Sequence, residues 1–335
     1  MAEREERERL RVVFMGTPDF AAASLRHLLD WDGCDVVGVY CQPDRPCGRG
    51  QVCTPPPVKL LAMEHRLPVF QPLNFKQQPD VDQLAALAPD LLLVAAYGLI
   101  LPNSVLDIPR LGAINVHASL LPEYRGAAPI HRAIVDGRHV TGITIMRMEA
   151  GLDTGDILLQ RSRAIGINDT AQSLHDELAD MGGRLLVEAL EKMNQGRLVR
   201  IPQDHAKATY ASKLSKEEGH IDWNQPVLTV HNRIRGLYPW PGSWFDWDGM
   251  PGKTLRLTVH PGVIGEPLPE GVRPGEIHGV AGDSVLIACA DRLYAVPTIK
   301  PAGSKPLGGR EFYCGYLSRC SGEHLLKPDL ACPGD

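Results

Sequence analysis

The sequence predicts an α/β fold in which an open, mostly parallel sheet with helices on both faces is followed by a small all-β barrel. Three observations support this fold class. Strand-like hydrophobic runs alternate with helical segments in the first part of the chain, which is typical of a parallel sheet. After residue 215 the pattern changes to short strands separated by turns, as in a small barrel. The length of 335 residues is enough for about two domains.

The individual elements are predicted from their own residues. The run RVVFMG at 11–16 is β-branched and aromatic and ends in glycine, which indicates a buried strand. Pro18 and Asp19 then favour the start of a helix, and leucines at helical spacing indicate a longer helix over 170–196. The other predicted segments are strands at 35–40, 89–94, 113–119, 142–146, 255–259, 275–277, 285–288 and 293–296, a loop rich in proline and glycine at 42–57, and a helix at 58–65.

The change of pattern near residue 200 divides the chain. We expect an α/β domain over 1–196, a linker without strong periodicity over 197–215, and a β-barrel domain over 216–325.

The net charge is −5, which argues against a generally basic nucleic-acid binder. Five basic residues and one acidic residue between 292 and 319 nevertheless form a local basic strip. Such a strip is compatible with a polyanionic partner or with an ordinary solvated surface.

Composition and local sequence exclude several classes of protein. With 44% hydrophobic residues the chain can bury a core, so wholesale disorder is excluded. The longest nearly unbroken apolar run, 91–102, has 12 residues, fewer than the ~20 that a membrane-spanning helix needs. A nicotinamide-dinucleotide site would place GxGxxG after the first strand, but Pro18 and Phe20 add bulk there. The fold can still be Rossmann-like, but these residues argue against a nicotinamide-dependent dehydrogenase.

The cysteines and the first residues bear on the compartment. Eight cysteines are too sparse for a disulfide scaffold, and Cys34, Cys41, Cys47 and Cys53 lack the close pairs typical of zinc sites. We therefore expect no metal, and free thiols in a reducing compartment. Residues 1–9 alternate Glu and Arg with no apolar stretch after them, which is unlike a secretory signal or a transit peptide. The expected location is the cytoplasm, of the bacterial type.

The segment 112–122 carries the most informative pattern. Side chains alternate along a strand, so Asn115, His117 and Ser119 are expected on one face. Pro122 ends the strand just beyond them, which places these residues at its carboxyl end, where open α/β sheets bind ligands. Three polar residues on one strand face are costly unless they have partners. They could satisfy loop backbone or form a functional site.

A glycine-flanked turn at 151–156 follows the strand at 142–146 and contains Asp153 and Asp156. Either carboxylate alone could simply cap backbone amides. Combined with the Asn and His of the nearby strand, however, one of them completes a set for acyl transfer without a covalent nucleophile. In such a set one group manages protons while two donors stabilise the tetrahedral oxyanion. A serine nucleophile is disfavoured because no GxSxG motif occurs.

These motifs resemble those of a known family. Over about residues 11–320 the sequence is similar to the methionyl-tRNA formyltransferases, a branch of the folate-dependent formyltransferases. The Asn-x-His strand is common to the whole folate-dependent group, whereas the arginine-containing loop and the C-terminal motifs are specific to the tRNA enzymes. The segments that carry the resemblance are 14–20, 42–50, 96–102, 114–122, 125–130, 151–156, 210–218, 221–223 and 240–245.

The resemblance implies a fold and a reaction. The first domain would be a Rossmann-like formyltransferase domain and the second an OB-like barrel that binds tRNA. The reaction would transfer the formyl group of 10-formyltetrahydrofolate, a co-substrate, to the α-amino group of methionyl-initiator tRNA for translation initiation. No metal is implied, and we expect a monomer without a membrane partner.

The resemblance also implies roles for particular residues. Asn115, His117 and Asp153 match the catalytic positions of the family. Arg49, and secondarily Arg45, match basic positions of a loop that enters the tRNA acceptor stem, although such a loop could also be a plain surface turn. The folate-binding segment of the family corresponds to Ser119, Leu120, Leu121 and Pro122.

Other functions remain as alternatives. A formyltransferase acting on a nucleotide-sugar amine would share the first domain and have a shortened second one. A glycinamide ribonucleotide formyltransferase would lack the second domain. A catalytically silent RNA-binding protein could keep both basic regions, but the Asn115, His117 and Asp153 set argues against it.

Overall fold

The computed structural model describes residues 9–47, 52–250 and 252–319. The chain forms two compact units. Of the described residues, the first unit comprises those up to 129, those at 140–163 and those at 175–211, and the second comprises those at 130–139, those at 164–174 and those from 212 onward. The domain bounds expected from the sequence, 1–196, 197–215 and 216–325, stay a prediction.

Strands and helices are numbered in chain order. The strands are β1 Leu10–Gly16, β2 Cys34–Tyr40, β3 Arg45–Cys47, β4 Val52–Thr54, β5 Val69–Phe70, β6 Leu91–Ala95, β7 Ala113–His117, β8 Arg125–Gly126, β9 Val140–Arg147, β10 Ile157–Ala164, β11 Tyr210–Ala211, β12 Ser243–Met250, β13 Lys253–Val259, β14 Val263–Pro267, β15 Ile277–Ala281, β16 Ser284–Ala288, β17 Arg292–Val296 and β18 Ile299–Pro301. The helices are α1 Asp19–Asp30, α2 Pro57–Glu64, α3 Gln78–Ala86, α4 Asn103–Leu106, α5 Pro129–Val135, α6 Ala171–Asn194, α7 Val227–Gly236 and α8 Gly309–Gly315, with 3₁₀ turns at His205–Lys207, Glu217–Gly219 and Leu317–Arg319.

The first unit is built on a seven-stranded sheet in the order β10-β9-β7-β6-β1-β2-β5. The five strands from β7 to β5 pair in parallel, whereas β9 pairs antiparallel with β7. Val12 to Met15 of β1 are fully buried, because a central parallel strand is covered on both faces. The predicted α/β class with a mostly parallel sheet is confirmed.

The second unit contains two antiparallel sheets, in the orders β12-β13-β18 and β14-β17-β16-β15. Their inward-facing residues share one apolar cluster with α7 and α8. Trp223, Phe245 and Tyr294 contribute the aromatic part of this cluster, with Trp223 and Phe245 in edge-to-face contact at a centroid distance of 5.2 Å. The unit agrees with the predicted barrel-like architecture.

A buried histidine belongs to the polar interior of the second unit. His231 on α7 is 1% exposed. Its Nε2–H donates to the Ile167 carbonyl at 2.7 Å, and its Nδ1 lies 3.1 Å from the Tyr294 hydroxyl. The Tyr294 oxygen accepts from the Gly262 N–H at 2.8 Å, so its own O–H is free to donate to Nδ1. A neutral ring satisfies this pattern, and burial lowers the pKa of His231 below its usual range.

We expect the free energy of unfolding to fall as the pH drops from about 6.5. Above that pH His231 is neutral in both the folded and the unfolded chain. Below it the unfolded chain takes up the proton first, because the folded pKa is lowered, and the unfolded state is favoured. Urea unfolding at pH 7.5 and pH 5.5 should show a smaller pH dependence for His231→Gln than for the wild type. The same change at the exposed His139 of this unit should leave the wild-type pH dependence intact.

Candidate active site

Two polar side chains occupy the carboxyl end of β7, between β6 and β9. In the registers of these pairs Asn115 lies opposite Val94 and Met146, and His117 lies opposite Thr144. Asn115 is half-buried, and no hydrogen bond to its side chain occurs within the part of the chain that the structure describes. Its amide is therefore available to a ligand.

The ring of His117 is 5% exposed and is oriented by a backbone carbonyl. Its Nε2 lies 2.9 Å from the oxygen of Tyr124. Since a carbonyl oxygen can only accept, Nε2 carries a hydrogen. Nδ1 faces the Oδ2 atom of Asp153 at 3.6 Å. Nδ1 is thus the ring nitrogen that can gain or lose a proton without breaking the Tyr124 hydrogen bond.

Asp153 is the carboxylate of the 151–156 turn that faces His117. Its Oδ2 accepts the Gly126 N–H at 2.8 Å, and its side chain is 15% exposed. Its φ of 51° lies in the left-handed region, which is uncommon for a residue other than glycine. The structure therefore brings together Asp153 and His117, two of the predicted site residues, across 36 positions of sequence.

Thr144 of β9 fixes the backbone of the 119–122 segment through hydrogen bonds. Thr144 Oγ1 donates to the Ser119 carbonyl at 2.6 Å and accepts the Leu121 N–H at 3.1 Å. Ser119 Oγ donates to the Glu123 carbonyl at 2.6 Å. Ser119 and Leu121 are buried, whereas Leu120 and Pro122 remain partly accessible. Leu120 and Pro122 are thus the apolar surface that this segment offers to a ligand.

Comparison with known proteins decides the family. The family model for formyl transferases matches residues 9–190, and the model for their C-terminal domain matches 213–317. A methionyl-tRNA formyltransferase from Nitratidesulfovibrio vulgaris strain DP4 is 56% identical over 325 residues, 97% of this chain and 96% of the relative. One from Geobacter sulfurreducens is 46% identical over 307 residues, 92% of this chain and 94% of the relative. The chain belongs to the methionyl-tRNA formyltransferase family.

Solved structures of low sequence identity share the fold of this formyltransferase. HypX from Aquifex aeolicus in complex with tetrahydrofolic acid has a TM-score of 0.62 at 18% identity, and the match covers 98% of this chain and 50% of HypX. The chain thus spans about half the length of that protein. The N-formyltransferase from Helicobacter canadensis has a TM-score of 0.62 at 17% identity, covering 86% of this chain and 98% of that structure.

The loop after β6 of the formyltransferase is tethered to the loop after β2. The Tyr97 carbonyl accepts from Thr17 Oγ1 at 2.9 Å and from Gln42 Nε2 at 3.1 Å. Gly98 has a φ of 81°, and a Cβ there would lie 2.3 Å from Gln42 Nε2. This position therefore requires glycine. Ile100, 92% exposed, is presented to solvent by the same loop.

The base of the predicted tRNA-binding loop is a charged network. Lys59 Nζ lies 2.8 Å from both carboxylate oxygens of Asp44 and 2.9 Å from Gln71 Oε1. The Lys59 ammonium holds the pKa of Asp44 below its usual range. Arg45 is exposed, and its guanidinium donates to Gln42 Oε1. The predicted contact Arg49 lies outside the described residues.

The loop itself is more regular than the sequence indicates. The sequence predicts a loop over residues 42–57, which are rich in proline and glycine, but β3 and β4 within them pair antiparallel, with Arg45 opposite Thr54.

The predicted basic strip at 292–319 lies in the second unit, and part of it makes hydrogen bonds within that unit. Arg292 Nε donates to the Gly265 carbonyl at 2.9 Å. Lys305 of the strip is exposed.

Within 9–47, 52–250 and 252–319, no helix is long and apolar enough to span a membrane, and no group of three or more His, Cys, Asp or Glu residues is arranged to hold a metal.

The described cysteines differ in state. Four of them are free thiols: Cys34, Cys41, Cys53 and Cys289. Cys314 is disulfide-bonded, so the expectation of free thiols is wrong for this residue.

Several residues that shape the site were missed by the sequence analysis. Thr144 supports the 119–122 segment, and Thr209 Oγ1 accepts the N–H of Tyr124 at 2.8 Å. Arg125 and Gln203 are both buried next to the 151–156 turn. The sequence marked Arg125 only as part of a family motif, and nothing in the aperiodic segment after residue 197 marked Gln203.

Proposed function

We propose that this formyltransferase moves the formyl group of 10-formyltetrahydrofolate to the α-amino group of methionyl-initiator tRNA. The curated relatives bear the name of this activity and match nearly the whole chain. The observation that carries the proposal is the arrangement at the end of β7: an unengaged Asn115 amide beside a histidine whose Nδ1 faces a carboxylate.

Formyl transfer needs stabilisation of an oxyanion and transfer of a proton, and this arrangement offers groups for both. The neutral amine nitrogen attacks the formyl carbon, a C–N bond forms, and the carbonyl oxygen takes negative charge. The Asn115 N–H and a protonated His117 Nδ1 can donate to that oxyanion, and Asp153 stabilises the imidazolium. When the bond from the formyl carbon to folate N10 breaks, N10 gains a proton and the amine has lost one. His117 relays this proton: the hydrogen on its Nδ1 passes to N10, and Nδ1 then takes up the proton that the amine loses, so the ring ends in the state in which it began.

The co-substrate and the tRNA use different surfaces in this proposal. Ser119, Leu120, Leu121 and Pro122 form the folate segment, in which the accessible Leu120 and Pro122 can contact the pterin and benzoyl rings. Arg49 and Arg45 contact the acceptor stem, because arginine suits phosphate and base-edge recognition. We also propose that the enzyme acts as a monomer in the bacterial cytoplasm.

The acceptor can be tested by competition between amines. The protein should formylate charged methionyl-initiator tRNA in the presence of 10-formyltetrahydrofolate, and should leave free methionine and a nucleotide-linked amino sugar essentially unformylated. Uncharged tRNA is the matched control, since it lacks only the attacking amine. Preferential formylation of the amino sugar would overturn the tRNA assignment in favour of the nucleotide-sugar alternative.

A further inference from the structure

A closed ring of hydrogen bonds surrounds the backbone of Asp153. Gln203 is 6% exposed, and its Nε2 lies 2.8 Å from the Asp153 carbonyl and 2.7 Å from the Gly155 carbonyl. Its Oε1 accepts from Arg125 Nη2 at 2.6 Å and from Arg125 Nε at 3.2 Å. Both hydrogens and the oxygen of this one amide are therefore used.

The ring closes through the peptide bond that follows Arg125. The N–H of Gly126 donates to Asp153 Oδ2, the same oxygen that faces His117. Arg125 is itself 3% exposed, and its Nη2 also lies 3.0 Å from Nδ1 of His205. Backbone and carboxylate of Asp153 are thus fixed by a single connected network.

Asp153 needs such a network because its backbone conformation is unfavourable. A left-handed φ is uncommon for a residue other than glycine, although aspartate adopts it more readily than most, and the hydrogen bonds to the carbonyls of this turn help to hold Asp153 in it. The contact between Oδ2 and His117 Nδ1 is already 3.6 Å long. A relaxation that lengthened it further would weaken the electrostatic support of the imidazolium.

Glutamine is well suited to this position by its chemistry. Glutamate would offer an acceptor to Arg125 but no hydrogen to the two carbonyls, and lysine or arginine would offer hydrogens but no acceptor. A buried polar group left without a partner is costly, and in Gln203 the amide hydrogens and the amide oxygen all have hydrogen-bond partners.

We propose that Gln203, held by Arg125, is a positioning residue that fixes the Asp153 turn for catalysis. This inference rests on the proposed function, in which Asp153 stabilises protonated His117. Gln203 does not touch the substrates; it acts through Asp153 and sets the rate of the chemical step.

Gln203→Glu is the decisive substitution because it keeps the shape and the acceptor for Arg125 but removes both donors. Single-turnover formylation of methionyl-tRNA should slow on the order of 10- to 100-fold, by analogy with groups that orient the protein ligands of a metal, whose loss costs about this much. The KM values for the folate and for the tRNA should stay within about twofold, because the binding segments are not altered. Gln83→Glu, at an exposed position of α3, is the control with the same change of charge and should retain wild-type rate.

A double-mutant cycle with Asp153→Asn separates the inference from the proposed function. If Gln203 acts through Asp153, Gln203→Glu should cost little more once Asp153 is neutral. Equal losses in both backgrounds, or a wild-type rate for Gln203→Glu beside an inactive Asp153→Asn, would overturn the positioning role alone. An active Asp153→Asn would overturn the catalytic assignment and the inference with it.

A second variant covers failure of Gln203→Glu to fold. Gln203→Asn keeps both donors and the acceptor but is one methylene shorter, so it should fold and show a partial loss of rate with unchanged KM values. A full wild-type rate for a folded Gln203→Asn would overturn the proposal.

Discussion

Replacing His117 with glutamine should lower the single-turnover rate of formyl transfer on the order of 10²- to 10⁴-fold. Glutamine can still donate to the Tyr124 carbonyl but cannot carry a positive charge or relay a proton. Folate binding, measured by titration, should remain within about threefold of the wild type, since His117 is a buried residue at the end of β7 and lies outside the 119–122 segment.

The matched control is His65→Gln, which makes the same change on the surface after α2. It should keep the wild-type rate. A His117→Gln enzyme that retained more than half of the wild-type turnover would contradict a catalytic role for this ring.

The parts of the structure that the sequence predicted are those with a local signature. β1, β2, β6 and β7 lie within or close to the predicted strands, because strands buried on both faces read as continuous apolar runs. Asn115 and His117 were assigned to one face from the two-residue period of a strand, and both lie on β7. A glycine-flanked turn likewise marked the position of Asp153.

The direction of a strand and very short elements left no such signature. β9 was predicted as a strand, but its hydrophobic run is the same whether it pairs in parallel or, as observed, antiparallel with β7. β8 and β11 have two residues each and pair with each other in parallel, which no periodicity can reveal. α7 lies in a region where only strands were expected. The sequence did not reveal this helix because its apolar face is defined by packing on the apolar cluster of the second unit.

The supporting residues of the site were hidden for a related reason. Gln203 contacts residues about 50 and 78 positions away in sequence, and it stands in a segment that reads as a linker. A polar residue in an aperiodic segment is most often exposed to solvent, so the sequence alone favours a surface position for Gln203 over a buried supporting role. The proposed reactive groups of this chain can thus be located by motif, whereas the groups that orient them are found only in the folded chain.

Asn115→Ala should lower the single-turnover rate on the order of 10²- to 10³-fold, the usual cost of removing one donor to an oxyanion. The amide of Asn115 has no hydrogen-bond partner within the described part of the chain, so its loss should leave no buried group unsatisfied. The urea midpoint should therefore stay close to the wild type, while the rate alone falls.

Asn115→Asp sharpens this test because it preserves the shape and replaces the donor with a negative charge. A carboxylate next to a developing oxyanion repels it, so this variant should be at least as slow as Asn115→Ala. Asn103→Ala, at an exposed position on α4, is the control and should keep full activity. If Asn115→Asp were faster than Asn115→Ala, the amide would act by shape rather than by donation, and oxyanion stabilisation would have to come from another group.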